Sequence, residues 1–194
     1  MKEIKVMKDM KMRNLFALLF AMVFGLTAIS ALAQKDPMVG GSAMYPSKNI
    51  VENAVNSKDH TTLVSAVKAA GLVDTLESPG PFTVFAPTNE AFDKLPAGTV
   101  DTLMKPENKD QLKKVLTYHV VAGKMNSKDI KKAIKAGGGK AMLKTVEGGT
   151  LSASEQGGKI MLTDEKGGMA TVTIADVYQS NGVIHVVDAV LLPN

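Results

Sequence analysis

The run Val183-Ile-His-Val-Val-Asp-Ala-Val-Leu-Leu192 is the longest almost wholly apolar stretch outside the N-terminus, and it constrains the fold more than any other. A run of that kind is buried on both faces, so a strand built from it must be inserted between elements made earlier in the chain. A second β-run, Thr171–Gln179, precedes it across Ser180-Asn181-Gly182. Asn181-Gly182 is expected to supply the positive φ angles of a tight turn. The rest of the chain is then the scaffold that receives this closing hairpin.

The first 33 residues read as a targeting segment. Lys2, Lys5, Lys8, Lys11 and Arg13 precede the apolar run from Leu15, and Ala31-Leu32-Ala33 places small residues where a signal peptidase cuts, before Gln34. Met10 or Met12 would give a more usual, shorter charged region. The rival reading is an uncleaved anchor, since Leu15–Ala33 could just span a bilayer that needs about 20 apolar residues. No cysteine follows, which excludes a lipid-anchored lipoprotein. The segment holds five of the 23 basic and two of the 19 acidic residues, leaving 18 against 17 and a net charge of +1 for residues 34–194. A basic balance that resides in the leader gives no reason to expect nucleic acid as a partner.

Residues 34–47, rich in Gly, Pro, Ser and Met, are expected to form a flexible leader. Order is expected from Lys48, with helices capped by Asn49, Thr88 and Ser127 and terminated at Gly71 and Pro96. Short strands parted by Gly-Gly turns follow from Ala141. Helices early and antiparallel strands late indicate an α+β domain over residues 48–193.

Little in the sequence suggests catalysis. His60, His119 and His185 share no metal-ligand spacing, there is no thiol, and no serine lies in a nucleophile motif. The paired glycines lack the Lys-Ser/Thr ending of a phosphate loop, and hairpin turns explain them more simply. No catalytic residue, metal or cofactor is assigned. Lys124–Lys144 contains seven lysines and one acid, Asp129, and no interleaved aromatics. That run is either a solvated face or a surface for an anionic partner.

Thr83-Val-Phe-Ala-Pro-Thr-Asn-Glu-Ala-Phe92 resembles the first signature of fasciclin domains. Tyr118-His119-Val-Val with Gly123 is similar to their Tyr-His segment. Ala175-Asp176, Asn181-Gly-Val-Ile-His-Val-Val-Asp188 and Leu191-Leu-Pro193 match the second signature. The resemblance implies a fasciclin-like fold: two β-sheets forming a wedge, flanked by several short helices. It also implies an exported, secreted or periplasmic, non-enzymatic adhesion module whose partner is a cell-surface or matrix protein or glycan. In animal members the Tyr-His segment and an Asp-Ile pair have been proposed to contact integrins. Those positions fall on Tyr118-His119 and on Asp176-Val177, with Val177 in place of Ile.

The expected partner contacts are therefore Tyr118, His119, Asp176 and Val177, with Lys128, Lys131, Lys132 and Lys135 as the electrostatic contribution. Thr83, Phe85, Pro87, Thr88, Phe92, Asn181, Gly182, His185 and Asp188 are expected to be structural. The mature domain should be a monomer or weak homo-oligomer without stable membrane insertion. The alternative function is a carrier that holds a small apolar ligand between sheet and helices.

Overall fold

The structure is a computed structural model that describes residues 36–194. The expected signal peptide lies outside the described residues. Among the described residues, no helix is long and apolar enough to cross a membrane.

The expected flexible leader is instead ordered from Asp36. β1 (Met38–Val39) and β2 (Ser42–Ala43) form a small hairpin across Gly40 and Gly41, both at positive φ. Val39 and Met44 are buried, and these two side chains hold the hairpin down. A two-residue strand has no periodicity to read, which is why composition alone suggested a loose segment.

The helices follow their local signals. α1 (Ile50–Ala54) starts with a capping box between Asn49 and Glu52. α2 (Thr61–Ala70) buries Leu63, Ala66, Val67 and Ala70 and ends at Gly71 in the left-handed region. α3 (Val73–Glu77), β3 (Phe82–Pro87) and α4 (Asn89–Asp93) come next, with the Thr88 hydroxyl accepting the Ala91 N–H at 3.2 Å. α5 (Thr99–Leu103) and the amphipathic α6 (Lys109–Tyr118) precede β4 (Val120–Ala122). α7 (Ser127–Ala136) is capped by Asn126, with Asp129 completing the box. The cap expected of Ser127 is thus corrected by one residue, because the Ser127 side chain is engaged elsewhere.

β5 (Lys140–Lys144), β6 (Thr150–Gln156), β7 (Lys159–Thr163), β8 (Met169–Gln179) and β9 (Gly182–Val187) complete a sheet of order β4-β3-β9-β8-β7-β6-β5. The closing strand is inserted as its composition demands. β9 runs parallel to β3 on one side and antiparallel to β8 on the other, and every one of its residues is buried. Ile184 and Val186 join the core under α2 and α6, while Val187 joins a second core with Phe85, Leu151 and Leu162.

The sheet folds into a wedge at β8. Its first three residues, Met169–Thr171, pair with β7 and the stretch from Val172 to Gln179 pairs with β9. The register shifts twice between Val172 and Val177, where Asp176 sits at φ 61°. Such irregularities bend a strand and increase its twist, which divides one ribbon into two leaves. A bridge between Val121 and Thr145 brings β4 against the end of β5 and closes the wedge around the second core.

The Asn181-Gly182 turn works differently from expectation. Neither residue has a positive φ. Gly182 is required because a Cβ there would collide with the Phe82 carbonyl. Asn181 is a strut: Oδ1 accepts the Ile50 N–H at 3.1 Å, and Nδ2 donates to the carbonyls of Leu76 (2.7 Å) and Ser78 (2.9 Å).

Candidate functional site

The signature residues form a buried scaffold. Thr83 donates its hydroxyl to the Gly123 carbonyl at 2.7 Å and accepts the Met125 N–H at 2.9 Å, tying β3 to the loop before α7. Phe85 stacks on His185 with ring centroids 5.6 Å apart. His185 donates from Nε2 to the Met125 carbonyl at 2.9 Å, and its Nδ1 accepts the Asp176 N–H at 3.3 Å. Pro87 and Phe92 are also buried. Asp188 accepts the Thr171 N–H at 2.7 Å and so pins β8 where β9 ends.

Tyr118 and His119 occupy the junction of α6 and β4. Tyr118, with no exposed surface, donates to the Thr150 carbonyl at 2.8 Å and accepts the Glu165 N–H at 3.2 Å. Burial pushes its hydroxyl up to about 12. His119 donates from Nδ1 to the Val115 carbonyl at 2.8 Å, satisfying one of the carbonyls left free at the end of α6. Its Nε2 accepts the Leu191 N–H at 3.0 Å. Both ring nitrogens are committed, and burial lowers its pKa to about 4, so the ring is neutral.

Asp176 projects from the β8 bulge to the start of α7. It accepts the Ser127 N–H at 2.6 Å and the Ser127 hydroxyl. A carboxylate at a helix N-terminus is stabilised by the free N–H groups and the dipole. Tyr118, His119 and Val177 are all buried, at 0%, 3% and 1% exposure. A side chain without surface cannot touch a partner while the fold is intact, so these three are corrected from contact residues to core residues. Asp176 is half-buried and committed to α7.

The lysines differ among themselves. Lys131 is drawn in, bonded to Glu155 and to the Gly158 carbonyl at 2.8 and 2.7 Å. Lys128, Lys132 and Lys135 are exposed on α7 and, among the described residues, form no salt bridge. Their spacing places them along one face of the helix. Lys140 and Lys144 are exposed on β5, against which α7 packs. Among the described residues, no group of three His, Cys, Asp or Glu could hold a metal ion.

The sequence model of the fasciclin domain matches residues 58–193, well over half of the chain. The chain belongs to the fasciclin family. It is 46% identical over 160 residues to Protein sll1483 of Synechocystis sp., an alignment that covers 82% of each chain. It is 33% identical over 208 residues to Immunogenic protein MPB70 of Mycobacterium bovis, covering 95% of this chain and 99% of the relative. Its fold is similar to that of a FAS1 domain pair from the insect cell adhesion molecule Fasciclin I (TM-score 0.66, 21% identity). That likeness spans 75% of this chain and 51% of the two-domain chain.

Several residues that organise this fasciclin domain gave no signal in sequence. Asn53 is fully buried in α1. It holds the hairpin through the Tyr45 N–H (3.0 Å) and carbonyl (2.8 Å), and it also reaches the Gln179 side chain on β8. Asp164 accepts the Gly168 N–H at 2.6 Å and the Leu192 N–H at 2.9 Å, fastening the C-terminal tail to the β7–β8 turn. His60 has Nδ1 2.8 Å from the Ser57 hydroxyl, while among the described residues its buried Nε2 has no partner of full hydrogen-bond geometry, although the Ala86 backbone is near enough to raise its pKa. Each is a lone polar residue in the sequence, and the partners of Asn53 and Asp164 are backbone groups or distant side chains. Only a buried polar group's need for partners could have drawn attention to them.

Proposed function

We propose that this fasciclin domain is an exported, non-catalytic interaction module that binds an anionic cell-surface or matrix protein or glycan through the lysine face of α7 and β5. The observation that carries the reading is the set Lys128, Lys132 and Lys135, exposed on one helix face and, among the described residues, in no salt bridge. Lys140 and Lys144 add positive charge on the exposed face of β5. Charges arranged this way attract an anionic surface over roughly 8 Å at physiological ionic strength, and salt screens them.

A non-catalytic role is supported by how the reactive side chains are used. His119 and His185 spend both ring nitrogens on backbone groups, and Ser127 is bonded to a carboxylate with no histidine to activate it. The relationship to a cell adhesion molecule of the same fold agrees with a surface role. The domain acts as a monomer or weak homo-oligomer, secreted or periplasmic, with neither nucleic acid nor stable membrane insertion required.

The test is binding of the exported protein to intact cells and to a glycan array at two salt concentrations. Saturable binding that weakens with salt, and that is lost in the K128E/K132E/K135E variant, is the expected result. Binding that ignores both salt and the three substitutions would overturn the reading.

A further inference from the structure

A cavity of about 80 Å³ lies between the β1–β2 hairpin, the helices α1–α3 and the sheet. Its floor is Val84 and Ile184, its walls include Ala54 and Val67, and the hairpin contributes Val39 and Met44. The lining residues Val51, Val64 and Val73 are half-buried and mark where it reaches the surface. The hairpin and α1 precede the residues matched by the fasciclin model, so this chain builds part of the chamber from sequence outside the family pattern.

The polar residues of the lining are Ser57, His60, Lys68, Thr75, Thr117 and His119, and among the described residues one of them, His60, carries an unpaired buried atom. His60 is 4% exposed and lines the cavity together with Ser57. Its Nδ1 is taken by the Ser57 hydroxyl, and among the described residues its Nε2 is the buried side-chain atom left without a partner. A buried polar atom in that condition carries a penalty that a ligand group can relieve. Water is a poor candidate, because it needs two to four polar partners and the apolar walls offer few. The Ser57 hydroxyl can donate or accept, so Nε2 can present either a lone pair or an N–H. A ligand hydroxyl pairs with both forms. Burial lowers the pKa of His60 and so disfavours its charged form, and Lys68, exposed on α2, is the cation among the lining residues, so a carboxylate bonded to Nε2 would face an uncharged imidazole.

We propose that this cavity binds a small uncharged molecule with an alkyl or aryl body and one hydroxyl, the body packing on Val84 and Ile184 and the hydroxyl bonding His60 Nε2. An engineered apolar cavity of roughly 150 Å³ accepts benzene, so this chamber of about 80 Å³ has room for about three heavy atoms, with longer bodies emerging at Val64. The site shares no element with the lysine face and stands independently of it.

The test is an NMR titration of the isotopically labelled, exported protein with 1-propanol, 1-butanol and 1-hexanol, and with butanoate as the charged control. Saturable shifts should appear at Val84, Ile184 and the His60 ring nitrogens, with affinity rising about fourfold from propanol to butanol, as one buried methylene dictates. Butanoate should bind at least tenfold more weakly, and Ala54→Leu, which fills the chamber, should abolish the shifts. His60→Phe should cut butanol affinity about fivefold, the loss of one hydrogen bond. If that variant does not fold, movement of the His60 Nε2 resonance in the unmodified protein reports the same contact. Shifts that rise linearly without saturation, equal binding of butanoate, or saturable binding unchanged in Ala54→Leu would each overturn the proposal.

Discussion

His119 shows how a signature residue can be indispensable without being a contact. It terminates α6 through the Val115 carbonyl and anchors the tail through Leu191. His119→Ala removes both bonds and leaves a void, so it should cost about 3 kcal/mol in urea unfolding at pH 7.5. The same residue sets an acid limit. Its pKa is about 4 in the folded protein against 6.5 when unfolded, so the unfolded chain binds more protons between those values. Stability is therefore complete above pH 6.5 and falls as the pH drops toward 4. His60 and His185, also lowered by burial, act in the same direction. Melting temperature against pH should decline below 6.5, and His119→Gln should flatten part of that decline.

Among the elements, β8 and its bulge decide the architecture. Asp176 couples the bend to α7 by two hydrogen bonds from Ser127. Asp176→Ala should lower stability by about 1–3 kcal/mol and speed amide exchange over the first turn of α7, while leaving the spectrum of the far helices intact. Gly182→Ala should cost at least as much, because the Phe82 backbone cannot retreat from β9 without breaking the parallel pairing. The elements read correctly from sequence are those whose causes are local: the Asn49 and Thr88 caps, the Gly71 stop and the doubly buried β9. The hairpin at 38–43, the strut at Asn181 and the bend in β8 depend on contacts that no local pattern encodes, some of them far along the chain, such as Gln179 for Asn53 and Ile50 for Asn181. Periodicity has no access to those contacts.

For the whole molecule, the family signatures and the proposed binding surface separate. The signatures lie inside, where they join two cores across one sheet. The lysines lie outside, on α7 and the sheet edge. Sequence motifs drew attention to Tyr118, His119 and Val177 because backbone and packing demands leave recognisable patterns. Lys131 could not be told from its neighbours, since the Glu155 that claims it is 24 residues away. Raising salt should weaken binding of the intact protein with little effect on its melting temperature, because the lysine field is screened and the buried network is not. The most direct measurement pairs two variants in one binding assay, with thermal stability recorded for each. Tyr118→Phe, which loses the bonds to Thr150 and Glu165, should melt lower yet bind normally in the temperature range where it is folded. K128E/K132E/K135E should melt like the parent and lose binding. A folded Tyr118→Phe protein that fails to bind, beside a lysine variant that binds as the parent does, would contradict that separation.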